Sequence, residues 1–138
     1  MSGELLDKVK HSLESLLSDC LWADSFELYE TRDFWNNYDE NDFISAYNEA
    51  AQYYREAITY ISENLGFNGT IVKRGDDTFP IWLPVNEACL WYLEDRTFVL
   101  YWEHMDKEMP VIVHLYAFDP KQPSHRLLDN YNGIWEHF

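Results

Sequence analysis

The sequence predicts an α+β fold: two N-terminal helices packed on a four- to five-stranded antiparallel meander, followed by a short C-terminal helix. Three observations carry that prediction. Apolar residues recur at spacings of three and four through much of residues 1–65. After Gly66 the texture changes to short runs rich in Val, Ile, Tyr, Phe and Trp. The links between those runs are short, and a parallel crossover needs a dozen residues or more. With 138 residues and no Gly/Ser/Pro-rich linker or internal repeat, the chain reads as one domain spanning 1–138.

The first helix is written in Leu5, Val9, Leu13, Leu16 and Cys20, with Leu6 and Leu17 widening the stripe. Trp22, Phe26 and Tyr29 keep helical spacing and read as a further buried stripe. Phe34-Trp35-Asn36-Asn37-Tyr38 reads as a loop because of its asparagines. A second helix runs over 42–65. Asn41 can cap its start and Gly66 can end it in the left-handed conformation. Its buried stripe comprises Phe43, Tyr47, Ala50, Ala51, Tyr54, Ile58, Ile61 and Leu65.

Strands are expected over 70–73, 79–85, 88–93, 97–102 and 111–118. Turns at Gly75-Asp76-Asp77, Glu94-Asp95-Arg96 and residues 105–110 separate them. The 97–102 run is apolar on both faces, so it belongs in the centre of the sheet, covered on both sides. Pro80 and Pro84 place the 79–85 run at an edge, where it could pair with a second copy; the oligomeric state stays open. Ser124 can cap, and Gly133 can stop, a short final helix.

Twenty-five acidic against ten basic side chains give a formal charge of −15. Such a balance argues against nucleic acid as ligand, since affinity there comes from Lys and Arg neutralising phosphates. It argues equally against anionic membrane surfaces. Hydrophobic residues at 46% and aromatics at 17% exceed what a disordered acidic chain carries. No stretch approaches the ~18 apolar residues of a membrane span, and the start, Met1-Ser2-Gly3-Glu4, lacks signal-peptide character. A cytoplasmic location is therefore expected. Cys20 and Cys89 match no CxxC spacing and read as free thiols.

No motif names a reaction. GxGxxG, the P-loop, GxSxG and HExxH are all missing. Asp39-Glu40-Asn41-Asp42 starts like a calcium loop but lacks the required Gly and has Phe43 at the third ligand position. His104 and His114 fall in neighbouring strands and could approach each other to hold a divalent metal. The plainer alternative makes His104 an exposed turn residue and His114 a packed strand residue. No catalytic residue, metal or cofactor is therefore expected.

The second helix carries the sharper signal. At 100° per residue, Asp42, Glu49, Glu56 and Glu63 recur every seven positions and drift by only ~20° each time. Tyr53 and Tyr60 fall in the same sector, on the side away from the apolar stripe. Carboxylates a turn or two apart repel one another modestly and do not help the fold. Tyr anchors interfaces, and surrounding carboxylates select a cationic partner. The competing view is an ordinary solvated face whose tyrosines cover the core edge. Residues 19–42 extend the pattern, with eight acids against the single Arg32, and six aromatics. Trp35, Tyr38, Asp39 and Glu40 are the interface candidates there.

In size, charge and this acidic-aromatic patterning, the chain resembles the immunity proteins of bacterial toxin systems, of the colicin and contact-dependent-inhibition type. The resemblance is one of class and rests on no diagnostic motif. It implies a non-enzymatic inhibitor that covers the basic groove of a cognate toxin, often a nuclease. Glu49, Glu56, Glu63, Asp39 and Glu40 would supply charge, with Tyr53, Tyr60, Trp35 and Tyr38 as anchors. A phage-type inhibitor of a host nucleic-acid enzyme would show the same surface. A small enzyme or ligand-binding domain with an aromatic-lined pocket is the competing class.

Overall fold

The computed structural model describes residues 2–18, 24–35, 39–80, 83, 85–106 and 108–118. In chain order the elements are α1 (Ser2–Ser18), β1 (Asp24–Glu30), α2 (Glu40–Leu65), β2 (Thr70–Lys73), β3 (Glu87–Tyr92), β4 (Thr97–His104) and β5 (Val111–Phe118). All strands join one antiparallel sheet, ordered β1-β5-β4-β3-β2. The α+β class is as expected, but the order is not. A strand stands between the helices, and it docks beside β5 at the end of the meander.

That strand overturns the helical reading of Phe26 and Tyr29. The pairing of β1 with β5 shifts between Glu27 and Tyr29, so one extra residue is accommodated there. Phe26 pairs with Leu115 and Tyr29 with Val113, which places both on the same face. A bulge has turned a two-residue period into a spacing of three. Trp22 and Cys20 lie outside the described residues, as does the expected helix near 124–132.

The two helices cover one face of the sheet. Leu5, Val9, Leu13 and Leu16 of α1 are buried with Leu28, Phe98, Leu100, Val113 and Leu115. From α2 come Ala46, Ala50, Tyr54, Ala57 and Ile61. Three of those five are alanines, which let the helix axis approach the sheet closely. The start of α2 differs from expectation by two residues. Asp39, not Asn41, is the cap: its carboxylate accepts from the Asp42 amide at 3.0 Å, and the Asp42 carboxylate accepts from the Asp39 amide at 2.9 Å. Gly66 ends the helix as expected, at φ +85°, with its N–H donating to Ser62 O at 2.9 Å.

The last turn of α1 holds no basic residue. Its free carbonyls are met from outside instead. The Arg96 guanidinium, in the β3–β4 turn, donates to Leu16 O and to Leu17 O, the latter at 3.2 Å. Asp95, 2.8 Å from Arg96, has its carboxyl held below the usual range by that hydrogen bond.

On the opposite face Val72, Ala88, Leu90, Val99, Tyr101 and Tyr116 are buried under Phe79, Leu83 and Val85. These last three belong to the β2–β3 connection, so the expected 79–85 edge strand is corrected to an irregular cover (residues 81, 82 and 84 are outside the described set). Pro80 has no N–H for a ladder, and Phe79, Leu83 and Val85 are buried against the sheet. Arg74 pins the cover. Its guanidinium donates to Val85 O at 3.1 and 2.7 Å and to Leu83 O, and stands 5.1 Å from the Phe79 ring centroid. With both faces covered, β4 is buried along its length apart from half-buried Trp102, as its two-sided apolarity predicts.

Gly69, ahead of β2, has a packing reason. A Cβ there would strike Cys89 Sγ and lie 2.6 and 2.8 Å from Trp91 ring atoms. Among the described residues no helix is long and apolar enough to cross a membrane.

Candidate functional site

The chemistry-bearing side chains gather where α1, β1 and α2 meet. Tyr29 of β1 and Tyr53 of α2 stack with ring centroids 3.6 Å apart and planes 9° from parallel. The Tyr29 hydroxyl donates to Glu49 Oε1, one helical turn before Tyr53. Beside the stack is a cleft of about 200 Å³, walled by Glu4, Leu5 and Lys8 of α1, by Leu28, Tyr29 and Glu30 of β1, and by Tyr53. Burial raises the Tyr53 pKa, and the charges of Glu49, Glu56 and Glu4 raise it further. The hydroxyl therefore stays protonated, a neutral donor among carboxylates.

These residues do not all stand where the helical wheel put them. Tyr53 and Tyr60 are half-buried and pack against the core, not on the side away from it. For Tyr53 the physical reason is α1, which lies along that flank and closes it with β1. Glu56 is also half-buried, and its Oε2 has no hydrogen-bond partner among the described residues. Glu49 and Glu63 are exposed.

The eight described residues of the nine expected form three groups along α2 and not one cluster. Tyr53 lines the cleft, with Glu49 bonded to Tyr29 and Glu56 close enough for its charge to act on Tyr53. Glu63 lines an open groove at the C-terminal end with Thr59, Ser62 and Phe67, and Tyr60 stands one turn before it. Asp39 and Glu40 are exposed at the N-terminal end, with Trp35 in the preceding loop, 64% accessible. Tyr38 lies outside the described residues. A helix of 26 residues is roughly 39 Å long at 1.5 Å per residue, so the groups are spread along the length of α2.

Three contributors escaped the sequence reading: Glu4, Tyr29 and Glu30. Tyr29 and Glu30 lie in the acid-rich 19–42 segment, which was the available signal. Nothing in the sequence links Glu4, from another helix, to them.

The histidines do not form a joint site. His104 pairs with Val111, and His114 with Tyr101, so the two point to opposite faces of the sheet. His104 is fully buried and is not an exposed turn residue. Its Nε2 is 2.9 Å from Met109 O, which can only accept, so Nε2 carries the hydrogen. In the neutral ring Nδ1 then accepts from the Tyr47 hydroxyl at 2.8 Å. Phe34 and Phe43 complete the surroundings, with centroids 5.3 and 5.4 Å away. On the other face His114 Nε2 is 2.9 Å from Glu103 Oε1, with both side chains largely buried. Among the described residues no group of three or more His, Cys, Asp or Glu is placed to hold a metal ion.

Comparison with known protein families, curated proteins and solved structures finds no match. The functional reading therefore rests on physical chemistry. Glu4, Glu30, Glu49 and Glu56 surround the tyrosine stack, and the lysine among the cleft's lining residues, Lys8, stands 4.0 Å from Glu4 with both side chains substantially exposed. An exposed pair of that kind contributes little. The arrangement suits a guanidinium or ammonium: carboxylates to pair with it, a donor hydroxyl, and ring faces for cation–π contact.

Proposed function

We propose that this protein is a non-enzymatic inhibitor of immunity-protein type, which binds a basic protein, a nuclease toxin, and covers its substrate groove. The observation that carries the reading is the convergence of Glu4, Glu30, Glu49 and Glu56 on the stacked Tyr29 and Tyr53. A nuclease must present Lys and Arg to phosphate. A rigid surface offering carboxylates beside aromatic anchors occupies that groove in place of nucleic acid, and opposite fields speed the encounter. The acids at both ends of α2 extend the field beyond the central cleft. No cofactor and no nucleic-acid ligand enter this function, and its setting is the cytoplasm.

The experiment has two stages. The chain is used to capture partners from its native cell, and the captured protein is assayed for DNA and RNA cleavage with and without added chain. The expected result is a basic nuclease whose cleavage falls stoichiometrically as the chain is added. The Glu30→Lys/Glu49→Lys variant, both positions being exposed, neither captures nor inhibits it. An acidic partner, or a nuclease still inhibited by that variant, contradicts the reading.

A further inference from the structure

A second cleft, of about 290 Å³, opens on the other side of α2, toward β3 and β4. Its walls are Ala51, Tyr54 and Arg55 of α2, Glu87 of β3, Trp102 of β4, and Val85. The register brings Cys89 opposite Leu100, so two residues further along the same face Glu87 and Trp102 become neighbours. The volume lies just under the roughly 300 Å³ at which drug-sized pockets begin, a size for a ligand of few heavy atoms.

Three polar groups share its lining. Arg55 and Glu87, of opposite charge, share the cleft, yet neither closes a salt bridge with a described residue. Tyr54 is 5% exposed, and its hydroxyl is turned toward the Glu87 carboxylate without a hydrogen bond of ordinary geometry to any described residue. A cation and an anion that line one cleft without closing on each other leave room for a ligand bearing both charges. The remaining lining is apolar or aromatic.

We propose that this cleft binds a free α-amino acid, with its carboxylate on Arg55, its ammonium on Glu87 and its apolar side chain over Trp102 between Ala51 and Val85. The Arg55 guanidinium offers two parallel donors to a carboxylate, and the Glu87 carboxylate accepts from an ammonium. Tyr54 lies beside Glu87, and its hydroxyl, held protonated by burial and by the Glu87 charge, supplies a donor to the same ligand. A cation alone meets repulsion from Arg55, and an anion alone meets repulsion from Glu87. The zwitterion satisfies both. The site is separate from the acidic tyrosine cleft and stands or falls independently of it.

The test titrates free L-amino acids one at a time into the full chain, up to about 10 mM, followed by calorimetry and by the NMR signals of Trp102 and Ala51. The same amino acids as N-acetyl and as C-terminal amide derivatives serve as controls. At least one with a large apolar side chain is expected to bind with one-to-one stoichiometry. Either blocked derivative, and either of Arg55→Met and Glu87→Gln, weakens it by about tenfold, the loss of one charge-assisted contact. Both substituted positions are exposed, and an unchanged denaturation midpoint establishes that the variants are folded. Binding by no amino acid overturns the proposal, as does binding that persists unchanged in the blocked derivatives or in both variants.

Discussion

The rings of Tyr29 and Tyr53 lie face to face at 3.6 Å, 9° from parallel, and join the edge strand β1 to α2. Full overlap of that kind is disfavoured by the ring quadrupoles alone. Surrounding contacts hold it, among them the hydrogen bond from Tyr29 to Glu49. Removing only that hydroxyl, by Tyr29→Phe, is expected to cost about 0.5–1.5 kcal/mol in urea denaturation, because the bond is partly exposed to water. It should also loosen Glu49, visible as averaged side-chain NMR couplings.

Charge reversal separates binding from folding. Glu30 and Glu49 are exposed, whereas Glu56 is half-buried, so Glu30→Lys/Glu49→Lys changes the surface with little change to the packing. The double variant is expected to stay within about 1 kcal/mol of the parent in stability. Partner affinity should meanwhile fall by more than about a hundredfold, as double reversal at a charged interface does. Equilibrium denaturation and surface plasmon resonance on the captured partner check the two halves.

The buried pair of Glu103 and His114 gives a test of sign. Removing one member leaves the other buried without its neighbour, so Glu103→Leu and His114→Leu are each expected to cost about 1–3 kcal/mol. The double replacement by Leu removes both polar groups together and should cost less than either single change. A thermodynamic cycle from urea denaturation of the four proteins reads the coupling directly.

Alkaline pH is expected to weaken the fold through Cys89. Burial, reinforced by the Glu87 charge, pushes its thiol up to about 12 from an ordinary 9.0. The folded state holds the proton that the unfolded chain releases, so this contribution is whole below pH 9 and is lost as pH rises toward 12. Tyr54 shifts in the same direction by burial and adds to the slope. Urea midpoints should fall between pH 8 and pH about 10.5, and Cys89→Ala should flatten part of that fall.

Much of this architecture was legible where local chemistry and tertiary environment agree. The Gly66 stop of α2, the burial of its Ala50, Tyr54 and Ile61, and the two-sided apolarity of β4 each follow from a single element, whereas the buried Ala46 and Ala57 were not in the expected stripe. The β1 strand did not, because its bulge gives Phe26 and Tyr29 a helical spacing. The 79–85 run failed for another reason: residues covering a sheet and residues within one are equally apolar, and only Pro80 and Pro84 hinted at the difference. The acids of the candidate site could be read from the α2 wheel. The inward position of Tyr53, and the roles of Glu4 and Tyr29, depend on α1 and β1 packing beside that wheel.

The central claim is that an acidic tyrosine surface recognises a basic protein. Its most direct measurement is the association rate constant with the captured partner as ionic strength rises from about 0.05 to 0.5 M, across which the screening length shrinks severalfold. The account predicts a fall of about ten- to a hundredfold for the parent chain and a much flatter line for Glu30→Lys/Glu49→Lys. A parent rate that does not change with salt, or a variant with the same slope, contradicts it.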